Sequence, residues 1–257
     1  AGYSNVFIGT YAGGDASCTI NSEFNIGIGY GALRGNVGSC NIAMGYESQN
    51  LGDAAHNFTV GRLAGANVQS SNNVFIGECA ARYNVTGNGN NIAIGKRAMH
   101  CAGGANHNTI LGNHAGKRIT TGHCNIFMGY YAGSGDSGDV TGVDNIILGT
   151  EAAKDITSGD DNVLIGPGAG RCGTITGDQN TIVGSYAGKS LSSGNRNVVI
   201  GRCTACKLST GGDNVAMGWF TGCSLTSGSN NVLLGYRAGN NMTANYNVAV
   251  GSDAALF

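Results

Sequence analysis

The sequence predicts an all-β fold, a parallel β-solenoid (β-roll or β-helix) of about 15 coils, each 16 to 20 residues long. Three observations predict it. The motif Asn-φ-x-φ-Gly recurs along the whole chain, its copies are one coil length apart, and apolar residues alternate with period two inside each copy. A repeat this short suits one compact coil and leaves no room for a helix pair.

The anchor asparagines are Asn5, Asn25, Asn41, Asn57, Asn73, Asn91, Asn108, Asn125, Asn145, Asn162, Asn180, Asn197, Asn214, Asn231 and Asn247. Asparagine at one phase of every coil predicts an amide ladder, in which each side chain hydrogen-bonds the next along the axis. The competing reading is that asparagine only favours turn geometry there. Both readings are structural.

After each anchor, the first and third positions are aliphatic almost throughout, as in Val6/Ile8, Ile146/Leu148 and Val232/Leu234. Period two predicts a strand with these two side chains on one face, taken here as the interior of the coil. Helix is disfavoured independently, since glycines at this density cost up to about 1 kcal/mol each relative to alanine.

Glycine closes every motif four residues after the anchor, from Gly9 to Gly251, which predicts a corner with positive φ or no room for a Cβ. Three residues later stands alanine in most coils, with Ser48, Thr204 and Thr221 as small exceptions, so that corner is tight and inward. Glycines such as Gly142, Gly159 and Gly177, three residues before an anchor, mark the second turn.

The middle strand position is never charged. A strand apolar on both faces needs cover on both, so Phe7, Phe75, Ile110, Phe127, Ile147, Leu164, Ile182, Val199 and Leu233 are expected to form a stripe that meets another chain. A homotrimer or a lateral dimer would bury it. Stacked at the β-spacing of about 4.8 Å, such coils would make a rod on the order of 70 Å long.

Composition excludes several function classes. Charged residues are 11% of the chain and the net charge is −1, so the footprint of nucleic-acid or acidic-membrane binding is missing. The longest apolar runs fall far short of the roughly 20 residues that span a bilayer. No membrane insertion and no cofactor is expected. The chain starts at Ala1 without a methionine and stops inside a coil, with no capping unit at either end. One domain over 1–257 is expected, either flanked by further sequence or stacking end to end into a filament.

The segments NVFIGTYAG from Asn5, NIFMGYYAG from Asn125 and NVLLGYRAG from Asn231 resemble a known repeat class. They are similar to the head repeats of YadA-like trimeric autotransporter adhesins, and more so to the Asn/Gly-rich repeats of phage tail fibres. The resemblance covers the whole chain and implies a left-handed parallel β-roll in trimeric, surface-binding rods. The coils here are longer than those of the adhesin heads, and no stalk or membrane-anchor barrel is present in the sequence.

Nine cysteines at several coil phases do not form a disulfide framework. Cys206 and Cys223 share a phase in adjacent coils, which places their Cα atoms about 4.8 Å apart, within disulfide range. Cys203 and Cys206 form a C-x-x-C without the helix that its redox role requires. Cys40 beside His56, and His107 beside Cys124, supply only two metal ligands each. Asp144, Asp160 and Asp161 could hold calcium or serve a glycosidase, against the plainer reading of solvated turn carboxylates.

Recognition is expected at turns, where aromatic side chains such as Tyr130, Tyr131, Trp219, Phe220 and Tyr236 suit a host-surface glycan or receptor. The plainer reading has these rings stapling neighbouring coils. The expected function is a non-enzymatic structural fibre or adhesin shaft, extracellular on a virion or cell surface, contributing to attachment to glycans. The alternatives are a self-polymerising extracellular filament and a glycan-cleaving tail spike.

Overall fold

A computed structural model of the chain describes residues 3–14, 22–36, 38–83, 86–87 and 89–256. It is a parallel β-solenoid of about 14 turns, all-β among the described residues. The chain divides into two compact units, 1–124 and 125–257.

The first unit holds β1 (Val6–Ile8), β2 (Ile26–Ile28), β3 (Gly35–Asn36), β4 (Ile42–Met44), β5 (Leu51–Gly52), β6 (Phe58–Val60), β7 (Val74–Ile76), β8 (Ile92–Ile94) and β9 (Thr109–Leu111). Its main sheet runs β1-β2-β4-β6-β7-β8-β9, every pair parallel, and β3 pairs with β5 on another wall. The second unit holds β10 (Ile126–Met128), β11 (Ile146–Leu148), β12 (Val163–Ile165), β13 (Thr181–Val183), β14 (Val198–Ile200), β15 (Val215–Met217), β16 (Val232–Leu234) and β17 (Val248–Val250), parallel in chain order.

Each strand is the three residues between anchor and closing glycine. Register never slips: Ile147 lies opposite Leu164, Leu164 opposite Ile182, and Ile182 opposite Val199. The glycine ends the strand for a steric reason. Gly149 has φ of +138°, and a Cβ there would sit 2.6 Å from the Gly166 carbonyl oxygen of the next coil.

The coil turns through further left-handed residues. The residue just before each anchor has φ between +55° and +63° in every coil, and none of these is glycine; Cys40, Asp161, Arg196 and Tyr246 are examples. Such residues cost about 1–2 kcal/mol each, which the stacked hydrogen bonds must offset. At Gln179 the N–H donates to the Asp160 carbonyl of the preceding coil at 3.0 Å, so the strained turn places a ladder donor.

The core corrects the expected facing of the strands. Phe75, Ile110, Phe127, Ile147, Leu164, Ile182, Val199 and Leu233 are each 0% exposed within the single chain, and Phe7 is half-buried. They fill the coil interior and cannot be an oligomer stripe. The aliphatic pair on either side of each faces outward instead.

Parity explains the inversion. The anchor asparagine is buried, and in an extended backbone the residue two places on shares its side. The middle residue therefore points inward. It packs against corner alanines such as Ala132 and Ala152 and against a third wall that includes Val140, Ile156, Ile175, Leu191, Leu208 and Leu225, all fully buried.

Volumes are matched locally within this thin core. A Cβ on Gly133 would meet the Phe127 ring at 2.5 Å, so the large ring requires the glycine beside it. Where the middle residue is Thr59, its Oγ1 accepts a hydrogen bond from Ser48 Oγ at 2.9 Å, which satisfies a polar pair inside the first unit.

Candidate functional site

The outward strand face runs through every strand of the main sheet in each unit. In the second unit it presents Ile126/Met128, Ile146/Leu148, Val163/Ile165, Thr181/Val183, Val198/Ile200, Val215/Met217, Val232/Leu234 and Val248/Val250. In the first it presents Val6/Ile8, Ile26/Ile28, Ile42/Met44, Phe58/Val60, Val74/Ile76, Ile92/Ile94 and Thr109/Leu111. No position is charged, and Ile92 and Ile146, each in a strand paired within its unit, are 38% and 36% exposed. Contiguous aliphatic surface of this kind marks an interaction face.

The aromatic turns border this face, following the closing glycine. Trp219, Phe220 and Tyr236 are 47%, 37% and 41% exposed, with the Trp219 ring 5.4 Å from each of the other two. Tyr130 packs edge-on against Tyr131 at 4.6 Å, and Lys154 Nζ lies 5.4 Å from the Tyr131 ring. These rings touch neighbouring coils and still expose much of their surface. In the first unit Tyr11, Tyr30 and Tyr46 form a similar run, with Tyr30 and Tyr46 stacked at 5.2 Å.

The asparagine ladder is continuous within each unit. Asn145 Oδ1 accepts the backbone N–H and the Nδ2–H of Asn162, and Asn162 Oδ1 does the same for Asn180. In most coils the Nδ2 also reaches the turn carbonyl of the following coil, as from Asn145 to Gly159 at 2.8 Å and Asn162 to Gly177 at 2.9 Å, whereas Asn73 Nδ2 bonds the Ser70 carbonyl of its own turn. The first unit carries the same chain of backbone bonds from Asn5 through Asn25, Asn41, Asn57, Asn73 and Asn91 to Asn108. In the second unit it continues through Asn197, Asn214 and Asn231 to Asn247.

A second ladder lies two residues before the anchors, running the opposite way. Val143 N–H donates to Asp160 Oδ1 at 2.8 Å, Asp160 N–H to Asp178 Oδ1 at 2.9 Å, and Asp178 N–H to Asn195 Oδ1 at 2.7 Å. Gly212 to Ser229 and Ser229 to Asn245 continue it, and Ser39 and Ser71 serve alike in the first unit. Sequence reasoning missed this feature. Its signal was the short polar side chain at that phase in coil after coil.

The remaining candidates separate. Asp160 is engaged by backbone, while Asp144 and Asp161 sit exposed in left-handed turns. Cys40, His56, His107 and Cys124 are exposed, and His107 Nδ1 donates to Asn106 Oδ1 at 2.8 Å. Among the described residues no group of three or more His, Cys, Asp or Glu side chains is arranged to hold a metal ion. No described helix is long and apolar enough to cross a membrane. The sequence carries three Asn-x-Thr glycosylation sequons, of which Asn57 is buried in the ladder, Asn84 lies outside the described residues, and Asn241 is exposed with its Nδ2 on the Leu256 carbonyl.

Ion pairs also follow the coil spacing. Arg196 grips Asp213 with two bonds of 2.7 and 2.9 Å, holding that carboxyl below its ordinary range, and Arg171 meets Glu151 at 2.9 Å. Exposed pairs of this kind contribute little individually.

Cys206 and Cys223 occupy one place in successive coils, and both are free thiols. Cys206 Sγ lies 3.7 Å from the Cys223 carbonyl oxygen, and Cys223 Sγ lies 3.0 Å from that of Cys203. A hydrogen bond with Cys223 lowers the Cys206 thiol to about 6, helped by Lys207 and Lys189 against the cost of burial. The same contact, with burial, pushes Cys223 up.

Comparison with models of known protein families, with characterised proteins and with solved structures found no match.

Proposed function

We propose that this chain is a structural fibre segment, a shaft of a virion or cell-surface appendage, and that it assembles as a homotrimer through its outward aliphatic face. The observation that carries this reading is that face: uncharged in every coil and left uncovered by the chain's own fold. Burying it against two further copies removes apolar surface from water at roughly 25 cal/mol per Å². The fold offers a reason for uniformity as well. In-register coils repeat the same outward pair, so one local contact geometry can be repeated along each unit.

The role is non-enzymatic. Asp160, in the acidic cluster with Asp144 and Asp161, accepts a backbone N–H and is part of the ladder that holds the coils. Surface attachment is assigned to the aromatic turns, where exposed faces of Trp219, Phe220 and Tyr236 can stack on sugar rings. The resemblance to adhesin heads and tail fibres supports the same reading.

Sedimentation equilibrium tests the assembly. The chain should sediment as a trimer, and a variant carrying Ile146→Lys and Val163→Lys should sediment as a monomer with an unchanged circular dichroism spectrum. A monomeric parent chain, or a trimer that survives both lysines, overturns the reading. Glycan-array binding tests attachment: Trp219→Ala should lower it several-fold, and an unchanged array removes that assignment.

A further inference from the structure

The dithiol in the second unit stands apart from both the ladder and the outward face. Among the described residues, Cys206 and Cys223 are the one pair of cysteines at the same phase of adjacent coils. Stacking at the β-spacing holds equivalent Cα atoms about 4.8 Å apart, inside the 4.4–6.8 Å range of disulfides. Both stand nine residues after their anchors, Asn197 and Asn214, in coils whose register is kept through Val198 opposite Val215. Each sulfur lies against a carbonyl of the other's coil, Cys206 Sγ at 3.7 Å from Cys223 and Cys223 Sγ at 3.0 Å from Cys203. The exposed thiols Cys40, Cys124 and Cys172 have no such neighbour.

We infer that Cys206 and Cys223 form a modification site, a coil-to-coil dithiol that a low-molecular-weight disulfide converts into an intramolecular bridge. Cys206, half-buried and flanked by Lys207 and Lys189, is the attacking group, because the thiolate is the nucleophile and a thiol titrating near ambient pH exchanges well. Its sulfur attacks one sulfur of the reagent, forming a mixed disulfide and expelling one thiolate. Cys223 then gives up its proton to solvent, and its sulfur attacks the Cys206 sulfur and expels the second thiolate. The two protein sulfurs lose two electrons in total, and the reagent is reduced to two thiols. The product adds a covalent tie between successive coils beside the bond from Ala205 N–H to the Thr221 carbonyl.

Differential alkylation with peptide mass spectrometry tests this on the unmodified chain, titrated with oxidised glutathione. The expected result is a bridge between Cys206 and Cys223 at reagent levels that leave Cys40, Cys124 and Cys172 largely reduced. In Cys223→Ser, glutathione should remain attached to Cys206; in Cys206→Ser, Cys223 should stay reduced. The rate of Cys206 alkylation should rise with a midpoint near pH 6. A Cys203–Cys206 bridge, or Cys206 reacting no faster than the exposed cysteines, overturns the inference. Because the first measurement uses the parent chain, it stands even if a variant folds poorly.

Discussion

Asn145 Oδ1 accepts both the backbone N–H and the Nδ2–H of Asn162, at 3.0 and 3.1 Å, and both residues are fully buried. One carbonyl oxygen thus satisfies two donors of the next coil, and the same unit recurs within each half of the chain. Polar groups that would be costly to bury become the joint between coils.

Replacing Asn162 with leucine, similar in size but without the amide, should orphan the N–H of Asn180 and the carbonyl of Gly177, while Asn180 Nδ2 keeps the Asp178 and Gly194 carbonyls. Each buried orphan costs about 1–3 kcal/mol. Urea denaturation followed by circular dichroism should show a loss of several kcal/mol. A loss below about 1 kcal/mol would mean that the asparagine serves turn geometry alone.

Gly149→Val should be more damaging than its half-buried corner position suggests. It combines φ of +138° with a Cβ 2.6 Å from the Gly166 oxygen. Soluble yield and melting temperature should both fall sharply. Gly104→Ala is the control, because its Cβ would meet only the Thr121 methyl at 4.0 Å.

At Gln179 the opposite substitution rule applies. The side chain is exposed, φ is +58°, and its ladder bond uses the backbone N–H, which glycine retains. Gln179→Gly should leave stability unchanged or raise it by up to about 1 kcal/mol, against the usual cost of glycine. Thermal melting with a marked loss of stability would contradict the left-handed assignment.

His100 supplies a pH dependence. Burial holds its imidazole below the ordinary value, while Nδ1 lies 3.0 Å from the Cys79 carbonyl and the ring packs edge-on against Tyr83. The folded chain binds the proton less readily than the unfolded chain. The neutral ring's contribution is therefore whole above the unfolded value near 6.5 and is lost as pH falls towards the lower folded value. Amide exchange around 97–101 should quicken as pH drops below 6.5, after correction for intrinsic rates. His100→Gln should remove that extra dependence.

Much of the fold was legible in the residues. The spacing of Asn5 to Asn247, the glycine four places on and the alternation between them determined a parallel solenoid, short strands and the ladder, because each is a local rule repeated at fixed phase. The inward side of the middle residue was also recoverable: a buried Asn145 forces Ile147 to its own side. Taking the aliphatic pair as the interior missed that constraint, because hydrophobicity alone does not choose between two apolar faces.

Other features arise only when coils stack. Some residues before the anchors, such as Asn72, Asp161 and His56, are types that tolerate a left-handed backbone, but Cys40, Arg196 and Tyr246 share the conformation and their types do not announce it. The reversed ladder of Asp160, Asp178 and Asn195 likewise exists only between coils. Sequence by itself determined the repeat and its strand, since those follow from steric and hydrogen-bonding preferences of single residues. Tertiary structure decided which apolar face is buried and which turn side chains bond backbone, since both depend on what the next coil presents at the β-spacing.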